Sequence, residues 1–504
     1  MAISSLSQIP SHLFADHVFA SSSLGDARRN QRVVKVAHQM LLSPGVAFCS
    51  MYSTWGQSKA AYRLMSNKAV TPEGLVGGHF EHVRRDLPRD GRVVLLIEDT
   101  TEVDYLNRVP IEGLSRVGPG NEDHQGFMLH SVIAAVPQGE PQEASARQSV
   151  RILGLAHQEY FLRSKVPVVK YGHQAHEDRE SALFERSTTI IGPAPEGSRL
   201  IRVADRGADI YLVLARYQAA GHGFVVRAKH DRNLAEGAEE RTISKALEKQ
   251  SWCDETFDID LRARPGQAAR TAKMRVRMAP VSLAPGRFNK EARERLDVPL
   301  EPIKCTVVHL LEEESTAASP TPEPRRQKGT KLAKRSMPSA RLEWKLLVSG
   351  PVENFAQALT ATRHYATRWI IEEFHRVLKE GMGAERLQME TGHALMNTVA
   401  VMSPLALRVV DLRERSRLEP DAPASDLGLA PLELDLLIGA TNRPIKTVED
   451  VAKAIGKLGG HLGRKGDGMP GTRTLFLGWR KLQHMVEAVM IYESQRNNGS
   501  KRCG

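Results

Sequence analysis

An α/β fold with a mixed sheet, flanked by helical segments, is predicted by three features of this sequence. The hydrophobic period is helical up to about residue 75, shifts to β-type runs near residue 90, and turns helical again after about 390. Between those limits, aliphatic and β-branched runs come first as a series of strands and then in alternation with helices. Two of the runs arrive at an aspartate: Val93–Ile97 leads to Asp99 after Glu98, and Leu200–Ala204 to Asp205.

Residues 1–75 read as a basic helical domain. "LGDARRNQRVVKVAHQMLLSPG" begins at a capping residue, Asp26, and stops at Ser43-Pro44-Gly45. Val33, Val34, Val36, Ala37, Met40 and Leu41 fall at helical spacing, while Arg28, Arg29, Arg32 and Lys35 crowd the first turns. A helix start favours acids, so this basic start points to an external anion. A solvated basic face would carry the same residues. "QSKAAYRLMSN" is a second helix.

The next region, 76–390, opens with "RVVLLIEDTTEVDY", "GFMLHSVIAAV" and "RILGLAHQEYFLR", read as an antiparallel meander. "RESALFERSTTII" is helical, "SRLIRVADRGAD" is a fourth strand ending at Asp205, "IYLVLARYQAAG" a helix closed by Gly221, and "FVVRAKH" a fifth strand. Arg227 and Lys229 alternate outward on that strand, which suits phosphate contacts. Residues 231–350 form a mostly β insertion with strands in "RTAKMRVRMAPVSL", "IKCTVVHLLEE" and "LEWKLLVSG". The stretch of about 312–340 is rich in Pro, Ser, Thr and charge and is expected to be a mobile loop. Its Arg325, Arg326, Lys328, Lys331, Lys334 and Arg335 suit either phosphates or plain solvent. Residues 391–504 are helical again.

At 504 residues the chain is too long for one simple core. Its 41% hydrophobic and 26% charged content is that of a soluble globular protein, and a net charge of +11 favours a polyanionic partner, nucleic acid before anionic membrane. Cys49, Cys253, Cys305 and Cys503 show no C-x-x-C spacing, which argues against a zinc ribbon or disulfide framework and suits a reducing cytoplasm. No secretory leader is legible, and no apolar run is expected to reach the ~20 residues that span a bilayer. The expectation is a cytoplasmic protein without a membrane.

"YATRWIIEEFHRVLKEGMGAERLQME", from Tyr365, reads as one amphipathic helix ending at Gly381 and Gly383. At about 100° per residue, Tyr365, Arg368, Glu372 and Lys379 share an arc of about 60°, opposite Ile370, Ile371, Phe374, Val377 and Leu378. Generic charges such as Glu373, Arg376 and Glu380 read as ordinary surface. Asp99, Asp205 and Glu372 together make three hard-oxygen ligands, a set suited to two Mg²⁺ ions acting on a phosphodiester. Arg368 and Lys379 would then hold the phosphate.

The spacing Tyr365-x-x-Arg368-x-x-x-Glu372-x-x-x-x-x-x-Lys379 resembles the Tyr/Arg/Glu/Lys signature of the insertion-sequence-4 family of DDE transposases. The surrounding "RWIIEEFHRVLKEGMGAER" is similar to the bacterial transposon-five branch of that family. "IEDTT" and "ADRGAD" resemble its first and second aspartate motifs. "GLAHQEYFLR", "FVVRAKH", "EWKLLVSGPVENFAQAL", "SLGDARR" and "KAAYR" follow in matching order.

The resemblance implies an RNase H-like, retroviral-integrase-like core with a β-strand insertion, a helical N-terminal DNA-binding domain and a C-terminal helical dimerisation domain. It implies a catalytic, metal-binding trio of Asp99, Asp205 and Glu372 with two Mg²⁺ ions, for which Mn²⁺ would substitute. Tyr365, Arg368, Lys379, Arg206, Arg227, Lys229, Trp344, Arg28, Arg29 and Arg32 are the expected DNA contacts; Trp344 would stack on a flipped base or pack in a β core. The implied activity cuts transposon inverted-repeat ends by hydrolysis and hairpin formation and joins the 3′-OH to target DNA, in a homodimeric synaptic complex at the bacterial nucleoid. A simple RNase H-like nuclease and a non-catalytic DNA-binding regulator are the alternatives. Gly207 departs from the Glu that relatives carry after Arg206.

Overall fold

The first aliphatic run forms a strand, but the strand does not stop at Asp99. In the computed structural model, β1 runs from Val93 to Asp104, because Thr100, Thr101 and Val103 are themselves good strand formers and stay in register with the next strand. Asp99 therefore sits within β1, opposite Ser131, rather than at its end. The structure describes residues 6–106, 108–118, 124–138, 148–163, 179–261, 270–286, 298–314, 341–464 and 467–500. The basic run between 325 and 335 lies outside them.

The chain divides into two compact units. The first comprises Met1–Gln138, Ser149–Ser198 and Trp369–Gly504. Its N-terminal helices are α1 (Ser11–Phe19), α2 (Ala27–Leu42), α3 (Trp55–Met65) and α4 (Pro72–Arg85). Asp26 caps α2 by accepting from the Arg28 amide at 2.8 Å, and Val33, Val36, Ala37, Met40 and Leu41 are its buried stripe. The meander follows: β1, β3 (Gln125–Gln138) and β4 (Ser149–Phe161) pair antiparallel, with the short β2 (Ser115–Arg116) on β3. Eleven consecutive residues of β3, Gly126 to Val136, are buried, so both faces of this strand are covered. Helix α4 comes so close to β4 that a Cβ on Gly154 would sit 2.6 Å from Val83, and Gly154 has φ +146°. After α5 (Ala182–Ile191) the chain leaves this unit.

The second unit covers Gly139–Gln148 and Arg199–Arg368. Here β5 (Arg199–Ala204), α6 (Tyr211–Ala219) and β6 (Gly223–Arg227) make a parallel strand–helix–strand unit. Four antiparallel strands complete the order β5-β6-β10-β9-β8-β7, a mixed sheet as expected. They are β7 (Thr256–Leu261), β8 (Arg270–Leu283), β9 (Ile303–Glu312) and β10 (Glu343–Ser349), with α7 (Ile243–Glu248) before β7 and α8 (Phe355–Ala366) after β10. The alternation read in β8 holds from Ala272 to Arg277 and then shifts by one: Met278 is half-buried and Ala279 is buried. Strand β7 was not foreseen; its exposed acids Asp258 and Asp260 obscure an apolar row of only Phe257, Ile259 and Leu261.

Returning to the first unit, α9 (Trp369–Arg376) precedes a long helix, α10 (Gly392–Leu418), and then α11 (Pro431–Thr441), α12 (Val448–Leu458) and α13 (Thr472–Ser500). Against expectation, α10 is long and apolar enough to cross a membrane, but 94% of its apolar window is buried inside the protein. It packs on α4 and β4 and is a core helix. Arg408, buried on α10, donates to the Ile9 carbonyl at 2.9 Å and stacks on Phe14 and Trp479, and Asp411 accepts the Ser7 amide at 2.7 Å. These contacts tie the N-terminal segment to the C-terminal helices within one core.

Burial also makes this core sensitive to acid. His79, 3% exposed on α4 beside Gly154, is pushed from 6.5 down to about 3 by desolvation. Its neutral ring contributes stability that is complete above pH 6.5 and is lost as pH falls toward 3. Between pH 7 and pH 5 the loss should be about 2 kcal/mol, read as a lower urea midpoint, and His79→Leu should remove that part of the pH dependence. An unchanged slope in the variant would assign the acid sensitivity elsewhere.

Candidate active site

In the second unit, the parallel register of β5 and β6 sets two expected residues side by side. Ala204 pairs with Val226, so the next residue on each strand, Asp205 and Arg227, emerges at the same sheet edge. Asp205 does end its strand, and its Oδ1 accepts the Gly207 amide at 2.7 Å, capping a 3-10 turn at Arg206–Ala208. Arg206 and Gly207 are exposed and Asp205 is half-buried. Arg227 donates to the Glu343 carbonyl of β10 at 3.0 Å. The neighbouring Trp344, 9% exposed, meets Tyr365 edge-on, with ring centroids 5.1 Å apart and planes at 71°.

Helix α8, which carries Tyr365, packs on β5 and β6. Burial raises the Tyr365 phenol above its usual range, while the nearby guanidiniums of Arg368 and Arg227 pull it the other way. Two guanidiniums thus converge on a phenol supported by an indole, a set of donors suited to a phosphate oxygen. Lys229 is exposed just beyond Arg227. Trp344 is therefore both a β-sheet residue and a wall of this cluster.

The stretch from Tyr365 is not one helix. Helix α8 ends at Ala366, the Thr367 amide is shared between the Arg363 and His364 carbonyls at 3.2 Å each, and the Thr367 hydroxyl donates to the His364 carbonyl at 2.6 Å. Arg368 falls in this tightened turn, its amide reaching back three residues to Tyr365 at 3.0 Å. Side-chain capture of a backbone carbonyl breaks a pattern that apolar spacing alone reads as continuous. The four residues are therefore not on one continuous helix: Tyr365 lies in α8, Arg368 in the turn after it, Glu372 in α9 and Lys379 in the turn that follows α9.

In the first unit, α9 packs on β1, which places Glu372 and Asp99 on adjoining elements. Both are half-buried, and Asp99 Oδ1 accepts the Thr100 amide at 2.8 Å. Strand alternation turns the preceding Glu98 inward to full burial, where Ser187 donates to it at 3.0 Å and His130 stands 3.5 Å away. His130 also meets the Thr100 hydroxyl at 2.9 Å. Glu373 is not ordinary surface: it is 4% exposed and paired with Arg376 at 2.8 Å and with the buried Arg413 at 4.0 Å. Lys379 lies in a π turn, Val377–Gly381, and is bridged to Glu385 at 2.9 Å.

Asp99, Asp205 and Glu372 are half-buried carboxylates, the hard-oxygen chemistry Mg²⁺ takes. Among the described residues no three His, Cys, Asp or Glu side chains gather as a ready-made metal cage.

At the N-terminal helices, the Arg28 side chain is 92% exposed, while Arg29 donates to the Leu24 carbonyl at 3.0 Å and Arg32 is half-buried. Residues 27–72 contain no Asp or Glu but carry Arg28, Arg29, Arg32, Lys35, Lys59, Arg63 and Lys68, a signal present in the sequence itself. Lys59 lies 4.4 Å over the ring of Trp55, which is 74% exposed beside an open cleft lined also by Tyr52 and Tyr62.

Basic N-terminal helices, a mixed α/β body with a phosphate-suited cluster, and C-terminal helices suit a protein that handles DNA. Residues 11–70 match the family model described as Transposase DNA-binding, and residues 434–499 match the one described as Transposase Tn5 dimerisation domain. The two matches support a Tn5-like transposase of the insertion-sequence-4 type, one that binds DNA and forms a homodimer.

Neighbouring acids on α9 should separate by role. Glu373→Ala removes a buried carboxylate that joins Arg376 to Arg413 and should cost about 2 kcal/mol, whereas the half-buried Glu372→Ala should cost no more than about 0.5 kcal/mol. Thermal unfolding of both variants checks this, and equal losses would count against it.

Proposed function

We propose that this protein is a Mg²⁺-dependent cut-and-paste DNA transposase with an RNase H-like core. It binds transposon inverted-repeat ends as a homodimer in a synaptic complex, cleaves them by hydrolysis and hairpin formation, and joins the 3′-OH ends to target DNA at the bacterial nucleoid. The observation that carries the reading is the pair of transposase domain matches at the two ends of a chain whose central unit gathers Asp205, Arg227, Trp344 and Tyr365 at one sheet edge.

In this reading Asp99, Asp205 and Glu372 would hold the metal, two Mg²⁺ ions or Mn²⁺ in their place. When bound, such ions supply activation of an attacking oxygen and stabilisation of the leaving one. The chain's own side chains do the rest. Arg227 and Arg368 hold non-bridging phosphate oxygens, and the Tyr365 hydroxyl, held between them, donates a further hydrogen bond. The Trp344 ring supports Tyr365 and offers an aromatic surface for an unstacked base. Lys379 reaches a phosphate once it exchanges Glu385 for DNA, a swap of one anion for another. Arg206 and Lys229 extend the contact along the strand, and Arg28, Arg29 and Arg32 hold the backbone of the terminal repeat.

Asp99→Ala, Asp205→Ala or Glu372→Ala should each abolish Mg²⁺-dependent nicking of a cognate end while leaving end binding within about threefold of the parent. Gel assays of cleavage and of binding check the two halves separately. Normal cleavage by any one of the three variants would defeat the metal assignment, and loss of binding in all of them would point to a structural role instead.

A further inference from the structure

The second aspartate motif, "ADRGAD", ends in an acid to which the metal reading assigns nothing. Asp209 has a side chain with no exposure at all. Its Oδ2 accepts the backbone amide of Lys229 at 2.6 Å and that of His230 at 3.2 Å. Its Oδ1 accepts Arg232 Nε at 2.6 Å, and the Arg232 Nη2 donates to the Asp209 carbonyl oxygen. Four hydrogen bonds from one short segment therefore converge on a single buried residue.

The two segments so joined are the ones that matter at the sheet edge. Asp209 closes the 3-10 turn that Asp205 opens, its own amide reaching the Arg206 carbonyl at 3.3 Å. Lys229 and His230 directly follow β6, after Ala228 has donated to the Lys345 carbonyl of β10 at 2.8 Å. A buried carboxylate must be met by donors at both oxygens; Arg232 reaches Oδ1, and Oδ2 is met by two successive backbone amides at the point where exposed Lys229 leaves the sheet. Fixing those amides removes the backbone freedom of the residue that bears the ammonium group.

We propose that Asp209 is a positioning residue for DNA binding: it locks the Lys229 segment to the Asp205 turn, so that Lys229 meets a phosphate of the strand presented to Asp205. This rests on the transposase reading, and the test separates the two. The full-length protein is titrated with a mixed-sequence DNA duplex in EDTA over a range of salt concentrations, so that no metal and no catalysis enter.

Lys229→Ala should lower the slope of log affinity against log salt by about 1, the loss of one phosphate contact. Asp209→Ala, which withdraws the acceptor from the Lys229 and His230 amides, should lower it by the same amount, and the double variant Asp209→Ala/Lys229→Ala should show no further change. Pairing Asp209→Asn with Arg232→Gln, which keeps an oxygen on the two amides and gives the amide nitrogen an acceptor, should retain the parent slope. A merely structural Asp209 would lower the melting temperature and leave the slope intact, or add its loss to that of Lys229→Ala; either result overturns the inference. So does an unchanged slope in Lys229→Ala when the parent protein binds. A parent protein that binds no DNA defeats the transposase reading itself and this inference with it.

Discussion

Strand β6 is held between a parallel neighbour and an antiparallel one, and its register governs everything presented at the candidate edge. Phe224, Val225 and Val226 are buried, and the Phe224 amide donates to Ser349 Oγ at 2.7 Å, so the strand cannot slide without exposing its apolar residues. A shift of one residue would turn Arg227 to the other face and part it from Asp205 on β5 and from the β10 carbonyl it now holds. Trp344, Tyr365 and the segment bound by Asp209 all take their places from that register. Hydrophobic burial, which carries no functional information of its own, thereby aligns the charged groups.

The first unit separates neighbouring acids by the same means. Along β1, alternation sends Glu98 into the core and leaves Asp99 half-buried; on α9, a rotation of about 100° separates half-buried Glu372 from buried Glu373. The buried member of each pair is met by donors, Ser187 for Glu98 and Arg376 with Arg413 for Glu373. The half-buried member is the one to which the proposed function assigns a metal. A carboxylate at the wrong position of either pair would be a defect in packing before it was a defect in function.

Electrostatics act in one direction across the chain. Two guanidiniums near the Tyr365 hydroxyl repel each other, and a phosphate between them would offset that repulsion. The acid-free stretch of the N-terminal helices has the same character, and Lys379 in its bridge to Glu385 is the counter-case, a cation already holding an anion.

The sequence by itself determined the class of fold, the meander, the strand–helix–strand unit around Asp205 and the helical ends. Each of these is encoded by local period, capping residues and turns, and Asp26, Gly221 and the alternation in β8 up to Arg277 are legible one segment at a time. The spacing from Tyr365 to Lys379 is also read from the sequence, and the roles it suggests belong to the proposed function. Only the tertiary structure decided that Thr367 divides that stretch, that β1 continues past Asp99, that α10 is a core helix and that Glu373 and Asp209 are buried. These depend on hydrogen bonds and neighbours far along the chain: Arg413 for Glu373, the β3 ladder for Asp99, Lys229 and Arg232 for Asp209. A period reports which way a side chain points on its own element, and burial is settled by what another element brings against it.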